Sequence, residues 1–228
     1  MIELLERKRR ETAREYVIRV LKQNIINLNF KPGQVISENE IGEILGMSRT
    51  PVREAFIELS KASIVEIYPQ KGTCISLIDM EIVNESRFMR SILEKAIVEL
   101  SCDMLSDEDK MALEENVHLQ EFCVSRKDYK RLLALDDSFH ELLFKACNKK
   151  RIYSQIVSMM FHFNRIRFLN LAEMDMNRTV DEHKEILQSI MNKDKQTAVT
   201  FMEKHLSRVM LDQTFLSEKH PEYFKGKK

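Results

Sequence analysis

The chain has 228 residues, which is enough for two modest domains that each bury a core. Its 36 basic and 36 acidic side chains cancel, so affinity for nucleic acid has to come from a local patch rather than from bulk charge. Four cysteines stand far apart, no apolar run approaches the ~18 residues of a membrane span, and no secretory leader is recognisable. These features argue against a zinc ribbon, a secreted scaffold and a membrane partner, and they predict a cytoplasmic protein.

The first elements of the chain are predicted to be two helices. Apolar side chains between Tyr16 and Leu28 recur at spacings of three and four residues, which is typical of an amphipathic helix. After "KPGQ", Ser37 and Glu40 match a capping box, because the hydroxyl and the carboxylate can each accept from the other residue's backbone N–H. This box predicts a second, short helix that ends near Leu45.

A third helix and a hairpin are predicted next. Gly46 begins a turn, and either Ser48 or Thr50 caps a helix that has Pro51 in its first turn, where a missing N–H is harmless. The stretch "IVEIYPQKGTCISLI" then reads as two alternating strands, with Gly72 supplying the turn between them. Helix, helix-turn-helix and hairpin together are the layout of a winged helix-turn-helix.

The third helix has one face that packs and one that is free. At ~100° per residue, its apolar positions cluster on one side, and Arg49, Thr50, Arg53 and Ile57 lie on the other. An arginine fork can bond two acceptors of guanine or clamp a phosphate, so the free face suits DNA. Two isolated arginines are more often solvated charges that pair locally, here with Glu54 or Glu58, and it is their place on the second helix of a helix-turn-helix, with a basic hairpin tip downstream, that favours DNA binding.

From about Met80 onward the sequence predicts helices and no strand. The fold class is therefore mainly α: an N-terminal winged helix-turn-helix with a small β-hairpin wing, followed by an all-α antiparallel helical bundle. We predict a DNA-binding domain over residues 1–78 and a helical ligand-binding and dimerisation domain over residues 79–228. The predicted bundle helices cover residues 81–103, 107–126, 128–147, 151–170, 178–192 and 194–216.

Four side chains in the helical half could form a metal site. Asp136 and His140 are four residues apart, so both can point from one helical face to a common centre. His183 and His205 lie on two later helices. Three imidazoles and a carboxylate suit a divalent transition metal with positions left open for a ligand. Spacing alone leaves open the alternative that these histidines only satisfy hydrogen bonds.

The N-terminal motifs resemble a known family. "KPGQVISENEIGEILGMSRTPVREAFIEL" followed by "VEIYPQKGTCIS" looks like the DNA-binding domain of the GntR superfamily of bacterial transcription regulators. The resemblance implies that the protein is a homodimer that binds a palindromic double-stranded DNA operator. It places the recognition helix and the minor-groove wing tip at Ser48, Arg49, Thr50 and Arg53, and at Lys71 and Gly72.

Two positions depart from the family pattern. Ala62, Ser63 and Ile64 replace the usual glutamate-glycine-leucine before the first wing strand, so Ser63 is expected in a strained or altered turn. Asn39 stands where some relatives carry an arginine at the start of the second helix. The operator sequence therefore cannot be transferred from relatives.

The helical half resembles the ligand-sensing domain of the FadR-like branch, which is of the FCD type. "FMRSILEKAIVELS", "LDDSFHELLFKACNKK", "DEHKEILQSI" and "MEKHLSRV" carry this resemblance. It implies a divalent transition metal (zinc, nickel or manganese) and a small carboxylate effector that pairs with Arg90. The metal-binding positions that it implies are Asp136, His140, His183 and His205.

The predicted function is that of a transcriptional regulator, and specifically a repressor, whose operator affinity depends on a small carboxylate at the metal site. The alternative is a metal-dependent enzyme that uses the Asp/His site to activate water. Asp137 and Glu141 are the only nearby carboxylates by sequence that could act as its general base. A third possibility, a constitutive DNA-binding protein, leaves the four-residue cluster unexplained.

Overall fold

The computed structural model describes residues 2–170, 176–207 and 213–226. Within these ranges the helices and strands follow one another as α1 (Ala13–Ile26), β1 (Val35–Ile36), α2 (Glu38–Leu45), α3 (Arg49–Lys61), β2 (Val65–Tyr68), β3 (Gly72–Ile75), α4 (Met80–Met104), α5 (Asp107–Arg126), α6 (Tyr129–Ala146), α7 (Lys150–Met159), α8 (Phe161–Leu169), α9 (Met176–Met191), α10 (Lys195–Ser207) and α11 (Gln213–Lys219), and a 3-10 helix spans Pro221–Tyr223. The predicted mainly helical fold with a small wing is confirmed.

The described residues form two compact units. The head unit comprises residues 2–83, 161–169 and 213–226, and the helical unit comprises residues 84–160, 170 and 176–207. The head unit therefore holds the winged helix-turn-helix together with α8 and α11, which come from much later in the sequence. None of the described helices is both long enough and apolar enough to cross a membrane.

Local sequence signals set the helix-turn-helix. Ser37 and Glu40 form the predicted capping box at the start of α2, and Gly46 ends that helix in the left-handed conformation with φ of 62°. Ser48 is the N-cap of α3, which places Pro51 at the third helical position. The head core is built from buried apolar side chains of α1 to α3, the wing strands, α8 and two connecting loops: Val17, Leu21, Ile25, Phe30, Ile36, Ile41, Val52, Ala55, Phe56, Leu59, Ile64, Val65, Ile75 and Phe161.

The wing contains the predicted hairpin and one strand more. β2 and β3 pair antiparallel, and β1 pairs antiparallel with the other edge of β3, so the sheet order is β1-β3-β2. A two-residue strand has too short a pattern to be seen in sequence. Gly72 has φ of +105°, and a Cβ at this position would lie 2.9 Å from Cγ1 of Val35. Only glycine fits this turn beside β1.

Ser63 occupies the turn that precedes β2 with φ of 56°, in the left-handed region. Glycine adopts this conformation freely, whereas other residues meet a steric penalty there. The expected strain at this departure from the family pattern is therefore present. The turn is closed by a hydrogen bond from the Ser63 N–H to the carbonyl of Ser60, 3.0 Å long.

One predicted helix was wrong in its extent. Residues 151–170 were expected to be continuous, but the chain leaves the helix at Met160 and divides into α7 and α8. No proline or glycine marks the break. Its cause is tertiary, because Phe161 at the start of α8 belongs to the core of the head unit. Of the predicted helix 194–216, residues 208–212 lie outside the described residues.

Two buried polar side chains of α8 hold the base of the wing. His162 accepts the Asp79 N–H at Nδ1, 3.1 Å away, and its Nε2 lies 3.2 Å from the carbonyl oxygen of Ser63. Nδ1 is thus an acceptor, so the proton of the neutral ring is on Nε2 and donates to Ser63. Arg165 is fully buried and donates to the carbonyl of Ser76 over 2.7 Å. Both side chains fix backbone on either side of the hairpin.

Because of His162, we expect the head unit to lose stability in acid. Burial and then the charge of Arg165 lower the pKa of His162 to about 4. Between pH 6.5, the ordinary pKa in the unfolded chain, and pH 4, only the unfolded state takes up the proton. The free energy of unfolding therefore decreases as pH falls from 6.5 towards 4. At pH 5 the loss from this group is about 2 kcal/mol. Urea unfolding at pH 8 and pH 5 should show a smaller pH effect in His162→Gln than in wild type. His118→Gln, at an exposed histidine, is the control and should behave as wild type.

Candidate functional site

The free face of α3 is presented to solvent. Val52, Ala55, Phe56 and Leu59 are buried on the opposite face. The side chains of Arg49 and Arg53 are 62% and 59% exposed. Ser48 and Thr50 at the start of the helix are exposed as well. The predicted division of α3 into a packing face and a free face is therefore confirmed.

Glu38, at the first position of α2, binds both arginines of this face. One carboxylate oxygen accepts from Arg53 Nε at 2.9 Å, and the other accepts from Arg49 Nη2 at 3.0 Å. The hydrogen bond from Arg53 and then that from Arg49 lower the pKa of Glu38, although partial burial opposes them. Pairing with Glu54 or Glu58 was the alternative drawn from sequence, and Glu58 instead pairs with Arg14 at 3.6 Å. Glu38 orders the two guanidinium groups before any ligand arrives.

The tip of the wing carries the remaining predicted DNA-binding residues. Lys71 is exposed, and its backbone N–H closes the turn by donating to the carbonyl of Tyr68 at 3.1 Å. Gly72 follows directly and begins β3. The lysine side chain is therefore placed on a turn whose backbone is fixed by hydrogen bonding.

The helical unit brings together all four predicted metal-site residues. Asp136 and His140 project from α6, His183 from α9 and His205 from α10, and all four are buried. One potential ligand atom from each residue lies within 4.8 Å of the other three. Asp136 oxygens lie 3.9 Å from Nε2 of His140 and 3.6 Å from Nε2 of His183. Residues separated by up to 69 positions thus form one cluster.

Two histidines of the cluster have a hydrogen-bond acceptor at Nδ1, and the third has a carboxylate in contact with that nitrogen. Nδ1 of His183 lies 2.7 Å from Oε1 of Gln120, and Nδ1 of His205 lies 3.0 Å from Oε2 of Glu182. Nδ1 of His140 contacts the carboxylate of Glu94. These are the outer partners that fix a ligating imidazole in metal sites, because they hold the proton on Nδ1 and leave the Nε2 lone pair for the ion.

The orientation of Gln120 is itself determined by its neighbours. Its amide nitrogen donates to Oδ1 of Asn116 at 2.7 Å, and the Asn116 amide donates to the carbonyl of Leu135 at 3.2 Å. The amide oxygen of Gln120 is therefore the atom that faces His183. Through this chain of hydrogen bonds, α5 fixes the tautomer of a histidine on α9.

The residues fit a divalent ion. Nε2 of His140 and Nε2 of His183 are buried and have no hydrogen-bond partner among the described residues, which is costly unless another group occupies the centre. Two donors bonded to one ion at about 2.1 Å lie at most about 4.2 Å apart, so the observed spread requires only a small contraction. Burial lowers the pKa of both His183 and His205, which keeps them neutral as ligands must be.

Arg90, in the helical unit, is linked to this cluster through Glu94. Its side chain is buried and pairs with Glu94, whose other oxygen contacts His140. Burial alone would raise the pKa of Glu94, but the charge of the adjacent Arg90 and the contact with His140 outweigh it and lower the pKa to about 2. Arg90 is therefore already engaged with a carboxylate that stays ionised.

The sequence reasoning missed four carboxylate and amide partners. Glu38, Glu94, Gln120 and Glu182 were not singled out, although Arg90 with Glu94 and Arg178 with Glu182 are i,i+4 pairs. That spacing was a usable signal for two of them. Gln120 also has a partner four residues away, Asn116, but nothing local links it to His183, which is 63 residues away.

These features define the class of protein: a winged helix-turn-helix protein with a second, helical unit that contains a buried Asp/His cluster. Residues 13–75 match the family described as bacterial regulatory proteins, gntR family, and residues 85–208 match the FCD domain. The chain belongs to the gntR family of bacterial regulatory proteins and carries an FCD domain.

Related proteins agree with this assignment. The chain is 25% identical over 215 residues to the HTH-type transcriptional repressor RspR of Escherichia coli (strain K12), and the match covers 94% of each chain. It is 30% identical over 182 residues to the uncharacterized HTH-type transcriptional regulator YdhC of Bacillus subtilis (strain 168), covering 78% of this chain and 80% of the relative. The solved structure of E. coli McbR/YncC has the same fold, with a TM-score of 0.76, 18% identity, and coverage of 92% and 99%. Membership in this family confirms the prediction of a regulator over that of a metal-dependent enzyme.

Proposed function

We propose that the protein is a homodimeric transcriptional repressor. Its head units bind the two halves of a palindromic operator through Arg49, Arg53 and the wing, and its helical units bind a small carboxylate at a divalent metal. The metal site is supported by one observation above all: two of the three buried imidazoles have a hydrogen-bond acceptor at Nδ1 and the third contacts the carboxylate of Glu94, while the Nε2 atoms of His140 and His183 have no hydrogen-bond partner among the described residues.

The names of relatives support repression as the output. RspR of E. coli is a transcriptional repressor, and a Bacillus licheniformis relative, 25% identical over 182 residues, is the gluconate operon transcriptional repressor. Gluconate is itself a small carboxylate. These properties belong to those proteins, and for this chain they set the class of acids to test first.

The charges around the cluster favour an anionic effector. Arg90 and Glu94 cancel, and Asp136 offsets one of the two charges of a divalent ion. One positive charge then remains in a buried site, where an uncompensated charge is unfavourable. A carboxylate bound at the metal would neutralise it. The ion would supply a Lewis-acidic centre that coordinates this oxygen ligand, and Asp136 and the three histidines would hold the ion.

The surroundings of the cluster fit binding better than catalysis. A hydrolytic site needs a general base near the metal. Glu94 is paired with Arg90, and Glu182 accepts from Arg178 as well as contacting His205. Both carboxylates hold histidines in place, which is a role in organising the site.

A thermal-shift screen tests the sensing proposal. Sugar acids, hydroxy acids and dicarboxylates would be added to metal-loaded and to metal-free protein, because a ligand that binds only the folded state raises its unfolding midpoint. At a concentration of about 100 Kd the stabilisation is about 2.7 kcal/mol, or roughly 5–10 °C for a chain of this size. We expect the shift only with metal present, and we expect the same acid to weaken operator binding. An equal shift in metal-free protein would contradict the proposed site.

Lys71 is expected to neutralise a phosphate. Lys71→Ala should therefore weaken binding to all duplexes alike and lower the slope of log K against log[salt] by about 0.9 for each phosphate that is no longer neutralised. Titrations of wild type and variant at several KCl concentrations measure this slope. Lys150→Ala, at an exposed lysine of the helical unit, is the control. A changed base preference with an unchanged slope would show that the wing reads bases instead.

A further inference from the structure

Four consecutive cations precede α1. Arg7, Lys8, Arg9 and Arg10, here called the basic segment, are all exposed. In a chain whose net charge is zero they form a local concentration of positive charge on the head unit. Arg7 donates to the carbonyl of Glu11, and none of the four side chains forms an ion pair with a carboxylate of the described residues.

The chain on both sides of the basic segment is fixed to α1. The amide of Asn24 and the backbone of Glu3 exchange two hydrogen bonds, 2.7 and 2.9 Å long, and Ile2 packs against the head core. Arg19 donates to the carbonyl of Glu6 at 2.7 Å and pairs with Glu11 at 2.6 Å. These contacts hold the basic segment at the N-terminal end of α1, so little backbone entropy remains to be lost when it binds a ligand.

α1 borders the free face of α3 on the edge opposite to α2. Arg14, in the first turn of α1, pairs with Glu58, whereas Glu38 of α2 pairs with Arg49 and Arg53. At about 100° per residue, Glu58 lies about 180° from Arg49 and about 140° from Arg53 around α3. The free face thus lies between an edge lined by α2 and an edge lined by the start of α1.

The low net charge around α3 leaves room for a second source of positive charge. Arg49, Arg53 and Lys61 of α3, with Arg14 beside it, stand against Glu54 and Glu58 of α3 and Glu38 beside it, so this surface carries a net charge of only +1. A surface with so little net charge gains little from the phosphate field, yet that field supplies much of the affinity for DNA. Glu54 and Glu58 also face the edge on which α1 lies, and Arg14 is paired with Glu58 there, so further cations would be needed to attract phosphates to this edge.

We propose that the basic segment binds the phosphate backbone along one edge of the major groove that α3 enters. This inference rests on the proposed DNA-binding function of the head unit. A helix in the major groove, about 12 Å wide, has a phosphate strand on each side. The start of α1 flanks α3 on one of those sides, so Lys8, Arg9 and Arg10 meet backbone phosphates beyond the bases that α3 reads. The contact adds affinity and carries no base preference.

The test uses the full-length protein and a mixed-sequence duplex, because phosphate contacts do not depend on sequence. The variant Lys8→Gln/Arg9→Gln/Arg10→Gln keeps Arg7, which bonds the backbone of Glu11. Its control is Lys149→Gln/Lys150→Gln/Arg151→Gln, which neutralises three consecutive exposed cations in the helical unit. We expect the slope of log K against log[salt] to fall by about two to three per bound head in the first variant only, with roughly tenfold or greater loss of affinity at moderate salt.

The outcomes separate this inference from the function on which it rests. A wild-type protein that binds DNA, with an unchanged slope in the first variant, would overturn the basic-segment contact alone. Equal losses in both triple variants would overturn it too, because they would show only a general charge effect. No binding of wild type to any duplex at low salt would overturn the proposed DNA-binding function first. Arg9→Gln alone should give about a third of the slope change, and circular dichroism confirms that each variant is folded.

Discussion

Alanine at Arg49 or Arg53 is expected to abolish operator binding while leaving the fold intact. Each bidentate contact to a base is worth about 1–3 kcal/mol, and a palindrome contains it twice, so affinity should fall roughly thirtyfold to more than ten-thousandfold. Both side chains are mostly exposed, so truncation removes little packing. The measurement is a gel-shift titration on an operator selected from random duplexes by the wild-type protein, with circular dichroism on the same preparations.

The ion pairs with Glu38 do not prevent Arg49 and Arg53 from binding DNA bases instead. Its pairs with Arg49 and Arg53 are open to solvent on the arginine side, and such pairs are worth at most about 1 kcal/mol each. A bidentate contact to a base contributes about 1–3 kcal/mol, which is more than an exposed ion pair. The guanidinium groups can therefore leave the carboxylate and bind the DNA. Until then Glu38 limits the number of conformations that the two side chains sample, which lowers the entropy lost on binding.

A matched variant in the helical unit controls for charge. Arg151→Ala removes an exposed arginine from α7 and should bind the selected operator as wild type does. Wild-type affinity in both Arg49→Ala and Arg53→Ala would contradict the assignment of α3 as the recognition helix. A loss of circular dichroism signal would instead mean that the two arginines support the fold.

The elements that sequence predicted well are those with local causes. The capping box at Ser37, the left-handed Gly46 and Pro51 in the first turn of α3 each act within a few residues, so the helix-turn-helix could be located without knowledge of the packing. The hairpin was visible for the same reason. Asp136 and His140 were visible because residues four apart share a helical face.

The features that sequence reasoning missed depend on contacts distant in the chain. β1 is two residues long and exists only because it pairs with β3. The break at Met160 arises because α8 joins the core of the head unit, far from its position in the chain. The amide of Gln120 takes its role from His183 on another helix. Apolar periodicity reports which face is buried, and it does not report against which partner.

Removing a ligand of the proposed metal site is the change with the largest expected effect on the helical unit. His183→Ala or His205→Ala should bring metal content from about one equivalent per chain to near zero and abolish the response to effector. Because the site joins α6, α9 and α10, loss of the ion should also loosen the unit, and structural ions contribute about 10 kcal/mol or more in favourable cases. The head unit lies outside this site, so binding to DNA at low salt should remain. Elemental analysis and thermal unfolding of protein without a histidine tag measure both effects.

Lowering the pH should have two effects on the helical unit: it should release the ion, and it should also reduce the stability of the metal-free protein. Burial lowers the pKa of His183 and His205, so in the folded protein they stay neutral somewhat below pH 6.5 while the unfolded chain takes up protons there. Stability is therefore retained above pH 6.5 and lost progressively as pH falls below it. Protons also compete with the ion for Nε2, but the lowered pKa values put this competition at a lower pH than for free imidazole. Metal content followed from pH 8 to 5 shows where release begins.

Gln120→Ala separates a metal site from a cluster of packed histidines. The variant leaves all four proposed ligands in place and removes only the acceptor that holds Nδ1 of His183, 2.7 Å away. Loss of such an outer partner lowers metal affinity by about 10–100-fold, so competition with a chelator should reveal weaker binding even though one equivalent is still reached at saturation. His118→Ala, at an exposed histidine outside the cluster, should bind as wild type. If wild-type protein dialysed against zinc, nickel or manganese retains far less than one equivalent, the histidines serve packing and hydrogen bonding alone, and effector control has to be sought elsewhere in the helical unit.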